Sequence, residues 1–454
     1  MEGTMIFKRK AYAQLLTWKQ QYANDYALLI EGAKGVGKTT LAVTFAKNEY
    51  ESFLFIDFSN TTKEVLACFD DLTNLDLFYF KLGAVTNSNI EPYKSVIIFD
   101  EIQLFPKARQ AIKHLIADGR YHFIETGSLI SIRQNLKDIL IPSEEMKLQL
   151  YPLDYEEFLQ AVEPNKIAIL DNIYQQKVAI GQDLNRKLMK DFRLYMALGG
   201  MPQVVEAYLN KKSFSQIEVV KQNIIALYLE DLYKIDKTGA LSEIYKSIPS
   251  QLSKDAKKFV ISKATNKRSS KDNQLEQILT LADSKITLTC YDVSSPSIDL
   301  VSSKRLDKFK LYLADIGLFV SLMFGSGHGV DKDIYTKLLS DKLPSNLGFL
   351  YENVVAQLIA SSGSSLFYHT WNKEQSAHYY EIDFLVPCNS KLVAIEVKSS
   401  RIDNHSSIDA FLVKFSNQVK EGLLVSQKEY QKIGNITNYP FYLLQHKLNE
   451  LQAN

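Results

Sequence analysis

The sequence YALLIEGAKGVGKTTLAVTFAK, residues 26–47, decides how the first part of the chain folds. A short apolar run is followed by a glycine-rich turn and then by an amphipathic helical pattern. Further apolar runs of strand length follow, separated by helical patterns such as residues 108–118. These runs are FLFIDFS (53–59), SVIIFDEIQLF (95–105) and YHFIETGS (121–128). Strands alternating with helices predict an α/β fold with a parallel sheet that is covered by helices on both faces.

The glycine-rich turn has the spacing of a phosphate-binding loop, because GAKGVGKT matches the pattern G-x-x-x-x-G-K-[ST]. Glycines let backbone N–H groups surround phosphate oxygens, and the following helix adds the positive end of its dipole. Lys38 should act on the β- and γ-phosphates as a catalytic residue, and the Thr39 hydroxyl should bind Mg²⁺. An ordinary glycine-rich loop is the alternative. The residues expected to hold ATP are Gly32, Ala33, Lys34, Gly35, Val36, Gly37, Lys38, Thr39 and Thr40.

Two carboxylates, Asp100 and Glu101, follow the apolar run VIIF. They lie at the carboxyl end of a predicted strand, where α/β sheets bind ligands. We expect Asp100 to hold Mg²⁺ through water and Glu101 to polarise the attacking water. Ser128, which ends the next run after Thr126, would contact the γ-phosphate or that water. A solvated acidic strand end and a turn-forming Gly-Ser pair are the alternatives.

Length and composition limit the classes of protein to which this chain can belong. The chain has 454 residues, of which 46% are hydrophobic and 23% charged, as expected for a globular protein of several domains. The formal net charge of +1 means that any nucleic-acid surface must be local. Three scattered cysteines exclude a disulfide framework and favour a reducing, cytoplasmic compartment. No signal peptide and no run of about 18 apolar residues is present, so we expect no membrane partner.

Two apolar, strand-like runs near the C-terminus carry charged residues. Glu396 and Lys398 are spaced i, i+2 in LVAIEVK, which places both on one strand face. Asp383 lies in the preceding run YEIDFLV, and Glu352 lies on an amphipathic helical pattern. Ionised groups in such runs are costly unless they are paired or bound to metal. Carboxylates suit Mg²⁺ or Mn²⁺, whereas the alternative is an internal salt bridge of Lys398 with Asp383 or Glu396.

The middle of the chain combines helices with a basic stretch. Residues 239–283 show three short helical patterns, and two β-rich runs follow, which is the outline of a winged helix. Residues 254–271 hold seven basic residues against Asp255, a local net charge of +6. We expect this stretch to contact DNA phosphates, with the alternative of a solvated basic face. Its basic residues are Lys254, Lys257, Lys258, Lys263, Lys267, Arg268 and Lys271.

Taken together, these motifs resemble a family of prokaryotic AAA+ ATPases whose C-terminal half is catalogued only as a domain of unknown function. The motifs that carry the resemblance over nearly the whole chain are GAKGVGKT, FIDFS, IIFDEIQ, TGS, YPLDYEEFL, LGGMPQVV, KLYLADIGL, GFLYENVVAQL, EIDFLV and AIEVKSS. The resemblance implies a RecA-like ATPase core, a helical lid, a winged helix and a restriction-endonuclease-like terminal fold. The C-terminal residues match the PD-(D/E)XK nuclease pattern, with Asp383, Glu396 and Lys398 as catalytic residues and Glu352, Asp383 and Glu396 as metal ligands.

One position departs from the family. Many members carry a Gly-Arg pair shortly before the segment corresponding to YPLDYEEFL, whereas this chain reads IPSEEM, with Glu144 and Glu145. The source of an arginine finger therefore stays open. Arg133 and Arg193 are the other candidates, and a surface arginine is the simpler interpretation of each.

The combined prediction is a Mg²⁺-dependent AAA+ ATPase that is coupled to a DNA-binding winged helix and a metal-dependent nuclease-like domain. The alternative is an ATP-driven switch or scaffold whose C-terminal domain binds DNA or protein without cutting. An intact metal site would favour cutting, and a Lys398–Glu396 salt bridge would favour the switch. The partners are ATP and DNA, and homo-oligomerisation stays open. The predicted domains are an ATPase core (1–150), a helical lid (151–235), a winged helix (236–324), a linker (325–347) and a nuclease-like domain (348–454).

Overall fold

The computed structural model of the chain divides into two compact units. The first comprises Met1–Tyr151 with Asp283–Lys285, and the second comprises Pro152–Ala282 with Ile286–Asn454. The structure describes residues 5–128, 142–253, 258–265, 270–326, 329–330, 332–342, 348–373, 378–399, 402–403 and 405–453. Within these ranges, no helix combines the length and the apolar character needed to cross a membrane.

The first unit contains a parallel sheet flanked by helices. Its described strands are β1 (Ala27–Glu31), β2 (Ser52–Asp57), β3 (Ser95–Asp100), β4 (His122–Gly127) and β5 (Glu145–Gln149). Its described helices are α1 (Ala11–Gln21), α2 (Lys38–Glu49), α3 (Lys63–Cys68), α4 (Leu75–Thr86) and α5 (Pro106–Asp118). The strand order is β2-β3-β4-β1-β5, and every neighbouring pair is parallel. The predicted parallel α/β sheet is thus confirmed.

The burial of its strands explains why this sheet could be predicted from apolar runs in the sequence. Strands β1 and β3 are buried along their whole length, because both faces of a parallel sheet are covered. On one side an aromatic cluster closes the core: the Phe69 ring lies 5.2 Å from that of Phe78, 5.7 Å from that of Phe99 and 5.5 Å from that of Phe105. This packing holds the carboxyl ends of the central strands in place.

Helices dominate the chain between the two sheets. They are α6 (Tyr155–Val162), α7 (Asn165–Gln176), α8 (Gln182–Leu198), α9 (Pro202–Leu209), α10 (Phe214–Ile235), α11 (Ala240–Leu252), α12 (Ile261–Thr265) and α13 (Lys271–Ser284). After residue 313 the described helices are α14 (Ile316–Phe324), α15 (Lys332–Leu339), α16 (Gly348–Ser361), α17 (Ser406–Lys414) and α18 (Leu444–Ala453). The three short helices predicted between residues 239 and 283 correspond to α11, α12 and α13.

The second unit contains a mixed sheet of eight described strands. They are β6 (Thr287–Val293), β7 (Lys304–Leu313), β10 (Phe367–Asn372), β11 (Tyr379–Cys388), β12 (Lys391–Lys398), β13 (Val419–Ser426), β14 (Gln431–Ile433) and β15 (Ile436–Pro440), in the order β14-β15-β13-β12-β11-β10-β6-β7. A separate short pair consists of β8 (Gly325–Ser326) and β9 (Gly329–Val330).

The hairpin predicted as the wing of a winged helix belongs to this large sheet. Strand β6 pairs in parallel with β10, with Tyr291 opposite Phe367 and Asp292 opposite Tyr368. Strands assigned to two different domains from the sequence therefore share one sheet. Periodicity predicts that a segment is a strand but does not predict its partner, so this junction was not foreseen. The domain limits themselves stay predictions.

The segment predicted as a linker contains a packed helix, so it is not the plain loop that its composition indicated, and its role between domains stays a prediction. In α15, Tyr335 and Leu338 are buried, and the Tyr335 ring stacks on that of Phe214 at 5.0 Å. The Tyr335 hydroxyl also donates a hydrogen bond to the buried Glu218 carboxylate. The segment around this helix is rich in Gly, Ser and Asp, which are typical of loops. The apolar pair Tyr335 and Leu338, spaced i, i+3, was too short a signal to indicate a helix.

Three of the motifs that carry the resemblance meet at one buried point. The Gly200 N–H donates to the Asp315 carboxylate at 2.6 Å, and the Leu153 N–H donates to the Gly200 carbonyl at 2.7 Å. A Cβ on Gly200 would lie 2.0 Å from the Leu153 carbonyl oxygen. Only glycine allows this close approach of two backbones. YPLDYEEFL, LGGMPQVV and KLYLADIGL therefore form one packing junction.

Candidate active site and C-terminal carboxylates

The loop between β1 and α2 has the backbone of a phosphate-binding loop. Gly35 and Gly37 have φ angles of 85° and 96°, in the left-handed region that favours glycine. A Cβ on Gly32 would lie 2.3 Å from the carbonyl oxygen of Leu150. Each of the three glycines is therefore required by geometry, which explains their spacing in the sequence.

Lys38 points back into this loop. Its side chain is only 5% exposed, and Nζ donates hydrogen bonds of 3.1 Å to the carbonyl oxygens of Gly32 and Ala33. Burial lowers the pKa of Lys38, while the nearby charges of Glu101 and Asp100 raise it. The ammonium group is thus held where the backbone is suited to surround phosphate oxygens.

Asp100 connects the loop with the central strands. Its Oδ1 atom accepts hydrogen bonds from the hydroxyls of Thr39, at 2.7 Å, and of Thr126, at 2.5 Å. Burial raises the pKa of Asp100, and these two hydrogen bonds lower it. A hydroxyl beside a buried carboxylate is a donor set that fits Mg²⁺. The hydroxyl on β4 that contacts Asp100 is that of Thr126, and the role of Ser128 stays a prediction.

Glu101 has an unusual backbone conformation. Its φ of 53° lies in the left-handed region, which costs a non-glycine residue about 1–3 kcal/mol, and active sites are one place where such strain recurs. Its backbone N–H donates to the Thr126 hydroxyl at 3.3 Å, and its carboxylate accepts a hydrogen bond from the Gln103 amide. Gln103 stands in the motif IIFDEIQ but was not among the predicted site residues.

Arg9, which precedes β1 in the chain, binds the backbone of the phosphate-binding loop. Its guanidinium donates to the carbonyl oxygen of Val36 at 2.8 Å and to that of Tyr151 at 2.6 Å. These contacts attach the phosphate-binding loop to the chain just after β5. The sequence offered no signal for this role, because Arg9 stands in a short basic run that resembles any solvated N-terminal segment.

The acidic stretch that stands where the resemblance led us to expect a Gly-Arg pair takes part in a buried ion pair. Glu145, at the start of β5, binds Arg109 of α5 through two contacts of 2.7 Å. Glu145 is paired with Ala27, at the start of β1, and so lies at the opposite end of the sheet from the phosphate-binding loop. Arg133 lies outside the described residues. Arg193 is buried, which corrects its interpretation as a surface residue.

The C-terminal candidates come together on two antiparallel strands. Phe384 is opposite Ile395, so Asp383 and Glu396 are neighbours across β11 and β12. Lys398 forms an ion pair with Glu396 at 2.6 Å, and the Glu396 Oε2 atom is buried without a hydrogen-bond partner. Burial raises the pKa of Asp383, and the charge of Glu352 raises it further.

A second lysine, which the sequence analysis did not assign to this site, reaches the same cluster from β7. The Lys310 ammonium lies 2.6 Å from Glu381 and 3.6 Å from Glu352, which also accepts a hydrogen bond from the Tyr312 hydroxyl. Within the described ranges, no group of three or more His, Cys, Asp or Glu residues is arranged to hold a metal ion. Lys310 and Lys398 thus supply the positive charge that a metal ion would bring, and the site does not fit one in this geometry.

Much of the predicted DNA-binding stretch lies outside the described residues, including Lys254, Lys257, Lys267 and Arg268. Lys258 and Lys263 are described and exposed. Next to them, the Phe259 N–H donates to the Phe309 carbonyl at 2.7 Å, which joins this segment to β7. A DNA contact here stays a prediction.

Comparisons with known families divide the chain into three parts. Residues 24–159 match an AAA domain, residues 189–329 match the domain of unknown function DUF8612, and residues 347–443 match the domain of unknown function DUF4143. None of these matches reaches half of the chain. The comparison with curated proteins found no similar sequence.

Solved structures show distant similarity. A Walker-type ATPase of Pyrococcus abyssi is 14% identical, with a TM-score of 0.42, over 70% of this chain and 96% of its own. Cdc6p of Pyrobaculum aerophilum is 11% identical, with a TM-score of 0.26, over 76% of this chain and 98% of its own. Such TM-scores carry no argument about the arrangement of the whole chain. The AAA match covers the parallel sheet and the phosphate-binding loop, so the first unit contains a P-loop domain of the AAA class, and the protein is an ATPase.

Proposed function

We propose that ATP hydrolysis uses Mg²⁺ at Thr39 and Asp100, with Glu101 as the residue that activates water. The observation that carries this proposal is the hydrogen bond between the Thr39 hydroxyl and Asp100, which joins the phosphate-binding loop to the carboxyl end of β3. The ion would neutralise phosphate charge when bound. Lys38 would exchange its two carbonyl partners for phosphate oxygens, and Gln103 would hold the Glu101 carboxylate in position.

Two variants test these roles. Lys38→Ala should abolish binding of a fluorescent ATP analogue, because it removes a charge from the phosphate cradle. Glu101→Gln should keep that binding but lose turnover, because Glu101 acts on water. Lys47→Ala, an exposed lysine on the same helix, serves as the matched control. Turnover of Glu101→Gln at the wild-type rate would show that another residue activates the water.

For the C-terminal domain we propose the switch rather than the nuclease: ATP-dependent changes alter how this domain binds DNA, without cutting it. The ion pairs of Lys398 with Glu396 and of Lys310 with Glu381 support this proposal, because a lysine stands against each of these two carboxylates. The buried Glu396 Oε2 atom without a partner is the one feature that favours metal-dependent cleavage instead. Cleavage is therefore the second candidate function.

A cleavage assay and a thermal melt separate the two candidates. Wild-type protein is incubated with several DNA forms and Mg²⁺ or Mn²⁺, with and without ATP, and we expect no cleavage. Asp383→Ala should lower the melting temperature, because Asp383 accepts the Val397 N–H at 2.7 Å inside the cluster. Metal-dependent cleavage that Asp383→Ala abolishes, while ATP turnover persists, would establish the nuclease.

The proposed DNA partner has its own test. Replacing Lys257, Lys258, Lys267 and Arg268 with alanine should weaken duplex binding. The slope of log K against log salt should fall by about 0.9 for each lost phosphate contact. An unchanged affinity and slope would identify these residues as a solvated basic face.

A further inference from the structure

The second unit contains a cavity of about 960 Å³ that none of the predicted sites uses. One wall is α8, which contributes Asn185, Arg186 and Arg193, and the other is the segment 427–431 after β13. Its volume lies within the roughly 300–1,000 Å³ of small-molecule sites. The cavity is therefore large enough for a ligand of nucleotide size.

The cavity lies at an edge of the sheet that favours ligand binding. Strands β12, β13 and β15 are mutually parallel neighbours, so their carboxyl ends share one edge. Gln427 directly follows β13, and its amide donates to the Ser399 carbonyl, just after β12, at 2.6 Å. Ligands of α/β sheets bind outside the carboxyl ends of parallel strands. The topology and the cavity thus point to the same place.

Arg193 is a buried cation whose described carboxylate partner is distant and half exposed, and which also contacts the Tyr351 hydroxyl. Its side chain is 8% exposed, and its nearest carboxylate, on Asp341, lies 3.6 Å away and is itself 53% exposed. The other partner of its NH1 atom is the neutral amide oxygen of Gln427, at 2.8 Å, and its Nε atom is buried without a hydrogen-bond partner. Arg109 shows the contrast, because two contacts of 2.7 Å join it to a buried carboxylate. A buried guanidinium is costly unless an anion completes its pairing.

The remaining lining residues fit an anion that carries a ring. Among the described lining residues, Arg186, Arg193 and Lys428 outnumber the acidic residues Asp341 and Glu429. Tyr430 adds an aromatic surface on which a base can stack. Arginine binds phosphate through two parallel hydrogen bonds, which gives geometric specificity as well as energy.

We propose that this cavity binds the phosphate of a nucleotide unit, with Arg193 as its principal ligand and Arg186 and Lys428 as further contacts. The phosphate belongs either to a nucleic-acid strand or to a free nucleotide. Only the first source rests on the proposed DNA binding. The cavity lies beside the end of β12, because its lining residue Gln427 contacts Ser399 just after that strand.

The test uses the full-length protein with Lys38→Ala, so that the phosphate-binding loop does not compete for nucleotides. Binding of labelled oligothymidylate and of AMP is measured separately. Arg193→Met should weaken binding of at least one probe roughly tenfold or more, since one charged hydrogen-bond partner is lost. Arg193→Lys should weaken binding less than Arg193→Met does, because lysine keeps the positive charge but cannot make the two parallel hydrogen bonds of a guanidinium. Lys190→Met, an exposed residue of α8 outside the cavity lining, is the matched control.

A second variant, at the exposed Arg186, keeps the proposal testable if Arg193→Met fails to fold. Arg186→Met should also weaken the affected probe, because Arg186 is largely solvent-exposed and its loss should not disturb the core. Loss of oligothymidylate binding identifies a nucleic-acid strand, and loss of AMP binding alone identifies a free nucleotide. If neither arginine variant changes the binding of DNA or of AMP, the cavity proposal is overturned and the proposed function is left standing. AMP binding that depends on Arg193, without any DNA binding, would support the cavity and refute the DNA partner. Failure of both probes to bind would overturn the cavity proposal.

Discussion

Replacing Arg109 with methionine should destabilise the first unit strongly. Arg109 and Glu145 are only 3% and 2% exposed, and two hydrogen bonds of 2.7 Å join them. Removing one partner of a buried ion pair costs about 3–5 kcal/mol, because the other charge stays buried without compensation. Glu125 lies beside this pair, and burial, together with the charge of Glu145, raises its pKa. Arg109→Met therefore leaves two neighbouring carboxyl groups without their cation.

The effect is measured on the full-length protein by the temperature at which ATP hydrolysis is lost, since the first unit carries the phosphate-binding loop. At about 2–4 °C per kcal/mol for a domain of this size, a loss of about 3–5 kcal/mol lowers the transition by roughly 6–20 °C. Adding Glu145→Leu should recover most of this loss, because apolar replacement of a whole buried pair is often neutral or stabilising.

An exposed ion pair of the same unit provides the control. Lys94 contacts Glu51 at 3.0 Å, with both side chains at least half exposed. Lys94→Met should leave the transition nearly unchanged, because solvent and salt screen such pairs. If Arg109→Met were no more damaging than Lys94→Met, or if the double variant were less stable than Arg109→Met, the argument from burial would be refuted.

Three further predictions follow from single contacts. Folding raises the pKa of Glu125 above its ordinary 4.5, so its contribution to stability is greatest below that value and declines as pH rises; Glu125→Gln should flatten the dependence of melting temperature on pH. Arg9→Met should raise KM for ATP several-fold with a smaller change in kcat, whereas the exposed Lys8→Met should change neither. Gly200→Ala should lower the free energy of unfolding by about 1–3 kcal/mol or more, and with it the melting temperature, because its Cβ would lie 2.0 Å from a carbonyl oxygen. Gly348→Ala, whose Cβ would meet only a side chain at 3.7 Å, should leave the melting temperature nearly unchanged.

Local patterns were sufficient for the phosphate-binding loop. Its glycines are spaced by the needs of one turn, and the strand before it and the helix after it are contiguous in the chain. The meeting of Thr39 with Asp100 was also predictable, because parallel strands bring their carboxyl ends to one edge of the sheet. In both cases neighbours in sequence, or a rule of topology, determine which atoms are close.

The C-terminal site could be predicted only in part. Asp383, Glu396 and Lys398 were found from charges inside apolar strands, and the structure places Asp383 and Glu396 on adjacent strands. The ion pair between Lys398 and Glu396 had been one stated alternative. The ion pair between Lys310 and Glu381 had not been predicted. Lys310 lies more than sixty residues earlier in the chain, and it reaches the cluster only because β6 pairs with β10.

The sequence by itself determined the P-loop ATPase sheet, the strands and helices that its motifs mark, and the charged residues worth testing. Tertiary structure alone decided that the hairpin of β6 and β7 joins the C-terminal sheet, that lysines neutralise the acidic cluster, and that Arg193 is buried beside a cavity. The physical reason is the range of the interactions. Periodicity and turn chemistry act within a few residues of one another, whereas strand pairing and ion pairing depend on which distant segments share a surface.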